Sequence, residues 1–151
     1  MFTAEFARAL ARADRGLDWS YPCLIWVADF LADATGRDPA AAWRGTVWTA
    51  ARAQRALARQ ATLGQGATLV EQALDAIAHR DGWRPAEGPM QGALMVGVYE
   101  AEPFPAEWDA GQLTIGVPAI FDGQRRWAMS NTGRGWTVTL QPPLRMWEVV
   151  I

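Results

Sequence analysis

Along the first half of the chain apolar positions recur every three or four residues; along the second they alternate or cluster in short blocks. The period changes near residue 90, which predicts helices within residues 3–82 and strands within residues 92–151. A first helix is expected after Thr3 as N-cap and up to Gly16, with Phe6, Leu10 and Ala13 on one face. A second opens at Ser20, with Pro22 at the first helical position, and ends at Gly36. Its residues Cys23, Trp26, Val27, Phe30 and Leu31 form one apolar stripe. Asp38-Pro39 restarts a short helix, and a longer one is expected over Val47 to Ala61. Thr68-Leu-Val-Glu71 has the form of a capping box ahead of a helix that turns Val70, Leu74 and Ile77 inward and stops near Gly82.

The strand signals follow. Leu94 to Tyr99 is an apolar run, and Leu113 to Phe121 and Arg126 to Ser130 flank Asp122-Gly123, a pair suited to the positive φ of a tight hairpin turn. Trp136 to Leu140 alternates, Pro142-Pro143 breaks the ladder, and Met146 to Ile151 is a candidate last strand. Helices first and an antiparallel sheet after predict an α+β domain. With 151 residues the chain is expected to form one domain, with a helical half at 1–84 and a β half at 85–151.

Composition narrows the partners. Half of the residues are hydrophobic and 20% are charged, which excludes a disordered chain. All 14 basic residues are arginine, and the net charge of −2 argues against nucleic acid as the main partner. Arginine outnumbers acid 10 to 9 up to Arg84, and acid outnumbers arginine 7 to 4 after it. No membrane span and no basic-then-apolar leader are visible, so a soluble chain made in the cytoplasm is expected. Nine tryptophans are more than a core requires and leave some for a protein interface.

Few residues could carry chemistry. Cys23 is the one candidate nucleophile, placed in the first turn of a helix, where amides and the helix dipole favour a thiolate. Its ordinary explanation is an inert core thiol at the head of an apolar stripe. His79 is the only imidazole; a helix-terminal role beside Arg80 and Asp81 is its ordinary explanation, and general base for Cys23 the functional one. Asp29 and Asp33, four residues apart, read as a solvated face rather than an acid–base pair. Ser20 and Ser130 lack a nucleophile elbow, and the glycines at 64, 66, 133 and 135 form neither a phosphate loop nor a dinucleotide fingerprint. One cysteine and one histidine give no zinc cluster, and neither a metal nor a cofactor is expected.

The segment Leu17-Asp-Trp-Ser-Tyr-Pro-Cys23-Leu-Ile-Trp-Val-Ala-Asp29, with Thr35-Gly-Arg-Asp-Pro39 and Arg44-Gly45, resembles a family of small phage and prophage proteins. Those proteins are similar to NlpC-type cell-wall cysteine peptidases, which have a papain-like fold. Leu113-Thr-Ile-Gly116-Val, Gly133-Arg-Gly-Trp and Leu144-Arg-Met-Trp147 resemble the family's barrel and C-terminus. The resemblance implies a papain-like NlpC-type fold with Cys23 at the nucleophile position. It also shows departures. Pro22-Cys23 stands where the peptidases have Asp-Cys, the spacer from Trp19 is one residue short, and Thr114 occupies the position of the family histidine. A threonine cannot take the thiol proton at neutral pH, so the dyad is broken in this alignment.

These readings lead to an expected structural component of a phage or gene-transfer-agent-like tail tip. It would be a degenerate NlpC-type domain that binds other tail or baseplate proteins, resides in the virion and uses no cofactor. The rival is an active cysteine peptidase or amidase that acts on peptidoglycan peptides during injection, with Cys23 as nucleophile and His79 or a partner's residue as base. A bacterial binding module with the same fold is a third reading.

Overall fold

The structure, a computed structural model, describes residues 2–17, 21–61, 68–99, 116–130 and 136–151. The helices are α1 (Thr3–Ala13), α2 (Cys23–Thr35), α3 (Ala50–Ala61) and α4 (Leu69–Asp81), with a 3₁₀ turn at Ala41–Trp43 between α2 and α3. The strands are β1 (Arg84–Ala86), β2 (Met95–Tyr99), β3 (Val117–Phe121), β4 (Trp127–Ser130), β5 (Trp136–Thr139) and β6 (Arg145–Glu148). They form one six-stranded sheet in the order β1-β6-β2-β3-β4-β5, with every neighbouring pair antiparallel. The molecule is therefore α+β, with its helices before its sheet in sequence.

Local chemistry explains most boundaries. Gly36 and Gly82 end α2 and α4 with φ of +74° and +73°, a left-handed conformation that glycine adopts without a side-chain clash. The Thr68 hydroxyl accepts from the Glu71 amide at 3.1 Å, as its spacing predicts. Three helix starts differ from expectation. Phe2, not Thr3, is the α1 N-cap, and Pro22 is the α2 N-cap rather than its first helical residue. The third helix begins at Ala50 instead of Val47, because the Thr49 hydroxyl takes the Arg52 amide and leaves Val47 outside, 73% exposed.

The hairpin between β3 and β4 is also larger than a two-residue turn. Phe121 pairs with Trp127, and the five residues between them fold around one carboxylate. The Asp122 Oδ1 accepts from the amides of Gln124, Arg125 and Arg126, and its Oδ2 accepts from the Arg126 guanidinium at 2.9 Å. Gly123 carries a positive φ of 85°. Strand β1 was not expected; it pairs Arg84 with Glu148 and Ala86 with Met146 at the sheet edge, where Pro85 is tolerated.

Strand alternation divides the sheet into two apolar faces. Val96, Val98, Ile120, Ala128 and Trp147 face the layer formed by Phe6, Trp26, Phe30, Val70, Leu74 and Ile77 of the helices. Met95, Ala119, Phe121, Trp127 and Met146 form a separate cluster on the other face. Helix α2 lies on β3 and is buried nearly all round, a wider surface than the single stripe expected from spacing. The Trp26 indole donates to the Ala9 carbonyl at 2.8 Å, tying α2 to α1 while satisfying a buried N–H.

Candidate active site

Cys23 is the first helical residue of α2, immediately after the Pro22 cap. Its thiol neighbours the Ser130 hydroxyl at the end of β4, and the backbone amides of Cys23 and Leu24 also reach the sulfur. The serine side chain points toward the helices because it lies two residues beyond Ala128 on the helix-facing side of the sheet. Two effects oppose each other at this sulfur. Burial raises the thiol pKa, while Ser130 and the two amides lower it, and the net result is a thiol pushed up to about 11. The residue as a whole keeps partial solvent contact, but burial of the sulfur outweighs its hydrogen-bonding neighbours.

Among the described candidates, His79 bonds elsewhere. His79 sits at the last turn of α4 with its side chain 73% exposed. Its Nδ1–H donates to the Asp75 carbonyl oxygen at 2.8 Å, one turn back along α4. Among the described residues, the Cys23 sulfur is met by the Ser130 hydroxyl and by the Cys23 and Leu24 amides. Thr114, Ser20 and the glycines at 64, 66, 133 and 135 lie outside the described residues. Gly116 is described, and its bareness is needed: a Cβ there would fall 2.4 Å from Val98 Cγ2 and 2.9 Å from the Thr68 hydroxyl.

Asp29 and Asp33 do not form an acid–base pair; Asp33 lies on an exposed face, as its spacing suggests, and each carboxylate has an arginine partner. The Arg8 guanidinium grips Asp33 through two hydrogen bonds of 2.7 and 3.0 Å, and that bonding holds the carboxyl below the usual range. Asp29 accepts from the Tyr21 hydroxyl and pairs with Arg44 at 2.6 Å. Burial, reinforced by the Asp29 bond, pushes the Tyr21 hydroxyl far up. Arg44 also binds Asp38 at 2.8 Å, and Asp38 caps the following turn by accepting from the Ala40 amide. Arg44 thus clamps α2 to the turn after it, which is a folding role for residues that spacing alone left unexplained.

A cleft of about 430 Å³ opens at the opposite end of α2, bounded by Leu31, Thr35, Arg37, Arg80 and Trp83. Leu31 and Thr35 lie eight and twelve residues beyond Cys23, roughly 12–18 Å along the helix axis. Its two carboxylates are already engaged, Asp38 with Arg44 and Asp81 with Arg80. Buried Asp75 on α4 is another residue that sequence spacing did not single out. It takes a 2.7 Å bond from Arg145 of β6, and Arg145 also reaches Glu71 at 3.5 Å. Among the described residues no group of three His, Cys, Asp or Glu side chains is arranged to hold a metal ion, and no helix is long and apolar enough to cross a membrane.

The family model of a domain of unknown function, DUF6950, matches residues 2–102. The chain belongs to the DUF6950 family. No curated protein and no solved structure matches it. The match runs from α1 through β2, so Cys23, Arg44 and His79 fall within the part shared with other DUF6950 members. Ser130, which completes the surroundings of the thiol, lies beyond it.

Proposed function

We propose that this DUF6950 protein is a non-hydrolytic component of a phage or gene-transfer-agent-like tail tip, built on a degenerate papain-like NlpC-type fold, that works by binding other tail proteins. The observation carrying the proposal is the company of Cys23. A cysteine opening a helix against an antiparallel sheet accords with the peptidase resemblance, but its side-chain neighbour is a serine hydroxyl and its thiol is pushed up to about 11. At pH 7 such a thiol is almost entirely protonated. Peptide hydrolysis also needs a group that takes the thiol proton and returns it to the leaving amine. A neutral serine hydroxyl does neither at pH 7. The placement of the domain in a tail draws on the resemblance around residues 17–45.

The rival reading, an active peptidase or amidase, draws support from the Cys23 and Leu24 amides, which favour negative charge at the sulfur. It requires a base from a partner or from His79. Purified protein incubated with muropeptides, beside Cys23→Ala, separates the two. The proposal expects no turnover that depends on Cys23. Turnover abolished by Cys23→Ala would refute the non-hydrolytic reading, and its further loss in His79→Ala would identify the base. Mass spectrometry of purified particles tests the location, with the protein expected as a fixed constituent.

A further inference from the structure

Helix α3 carries three arginines, more than any other described element. Arg52, Arg55 and Arg59 recur at i, i+3 and i+7, which places them on one side of the helix, about 10 Å from first to last. Across from them stand Trp43 of the 3₁₀ turn and Trp48, whose rings meet edge to face with centroids 6.4 Å apart. Between the turn and the helix lies a groove of about 520 Å³ lined by all three arginines, of which Arg52 also donates to the Val47 carbonyl at 2.8 Å. Trp43, Trp48 and Ala56 also wall an adjoining crevice of about 40 Å³, closed by Pro22, Leu24, Ile25, Ala53 and Leu57 and lined only by apolar residues.

We infer that this double feature is a docking site for an acidic peptide segment of a partner protein, with carboxylates in the arginine groove and one small aliphatic side chain in the crevice. The inference deepens the proposed docking role and rests on it. The chemistry selects the occupant. Guanidinium forks bind carboxylates in two-bond geometry, and Arg and Trp are the residue types that most often dominate binding energy at interfaces. An extended peptide rises about 3.3 Å per residue, so carboxylates at alternate positions, on one side of the strand, span the row of arginines. A crevice of about 40 Å³ lined only by apolar residues suits the end of an aliphatic chain. Nucleic acid fits less well. Three arginines offset at most three phosphates, and a chain of net charge −2 gives no wider attraction.

Fluorescence anisotropy tests the inference with a labelled Glu-Leu repeat peptide, a Gln-Leu repeat of the same length and a labelled single-stranded oligonucleotide. The Glu-Leu peptide is expected to saturate the protein, to weaken as salt rises, and to lose at least about tenfold in affinity in Arg52→Gln/Arg55→Gln. Ala56→Leu, which fills the crevice, is expected to weaken it as well. Arg52 and Arg55 are exposed, so the double variant should keep the parent circular dichroism spectrum. Failure of the Glu-Leu peptide to saturate, undiminished binding in the double variant, equal binding of the Gln-Leu peptide, or tighter binding of the oligonucleotide would each overturn the inference. Muropeptide turnover is a separate readout, so failure of this site is distinguishable from failure of the non-hydrolytic reading.

Discussion

Replacing Gly97 by alanine places a methyl group in space that Pro143 already occupies. The new Cβ would stand 2.3 Å from Pro143 Cγ, 2.9 Å from Pro143 Cβ and 3.1 Å from the Arg145 carbonyl oxygen. The proline cannot swing aside as the tip of a flexible chain would. Its ring is buried, and the next residue is anchored by the Leu144 amide bonding to the Val98 carbonyl at 3.0 Å. Overpacking of this kind costs about 1–3 kcal/mol, and breaking the anchoring bond to relieve it costs about 0.5–1.5 kcal/mol more. Alanine recovers about 0.4–1 kcal/mol by restricting the unfolded chain. The expected net loss is about 0.5–4 kcal/mol in urea unfolding at neutral pH. Gly88→Ala, where a Cβ meets nothing within 4 Å, serves as the control and should lie near parent stability. Adding Pro143→Ala removes the closest clashing atom, so the double variant should be more stable than the sum of the single changes by about 1 kcal/mol. Parent-like stability of Gly97→Ala, or strict additivity in that cycle, would refute the placement of the 140–144 segment over the second face of the sheet.

Acid should weaken the β3–β4 turn in a defined direction. Burial of Asp122 works against its ionisation, but Arg126 and three amides outweigh it and hold the carboxyl below the usual range. With its folded pKa depressed, its contribution is complete above the unfolded value of about 3.9 and fades as pH falls through the folded one. Asp122→Asn, followed by denaturant unfolding at neutral pH, should cost about 1–2 kcal/mol, because Arg126 is half-exposed and the amide keeps one acceptor for the turn. The same variant should flatten the acid limb of the stability profile, and an unchanged acid limb would show that the carboxylate does not hold the turn.

The helix boundaries most legible in the sequence are those set by local chemistry. Gly36, Gly82 and the Thr68 cap act within a turn or two, so spacing alone is enough to read them. Asp122-Gly123 marked a hairpin, but its length depended on a carboxylate satisfying three amides, which the two-residue signal does not encode. Strand β1 has no alternation to read in Arg-Pro-Ala; it exists because β6, more than sixty residues later, presents an edge. The site divides in the same way. Cys23 at a helix start was legible, whereas its neighbour Ser130 is set by strand register and by the docking of α2 on the sheet. Asp33 lies on the exposed face that spacing suggests, but the partners of Asp29 and Asp33, Arg44 and Arg8, come from other elements and cannot be read from spacing.

The pH dependence of thiolate absorbance tests the account's central claim most directly. Cys23 is the only cysteine, so subtracting the Cys23→Ala spectrum isolates its ionisation from that of the tyrosines. The account predicts a midpoint well above the ordinary thiol value of about 8.5, toward 11, as burial beside Ser130 dictates. A midpoint at or below the ordinary value would contradict it, and one well below would mark Cys23 as an activated nucleophile.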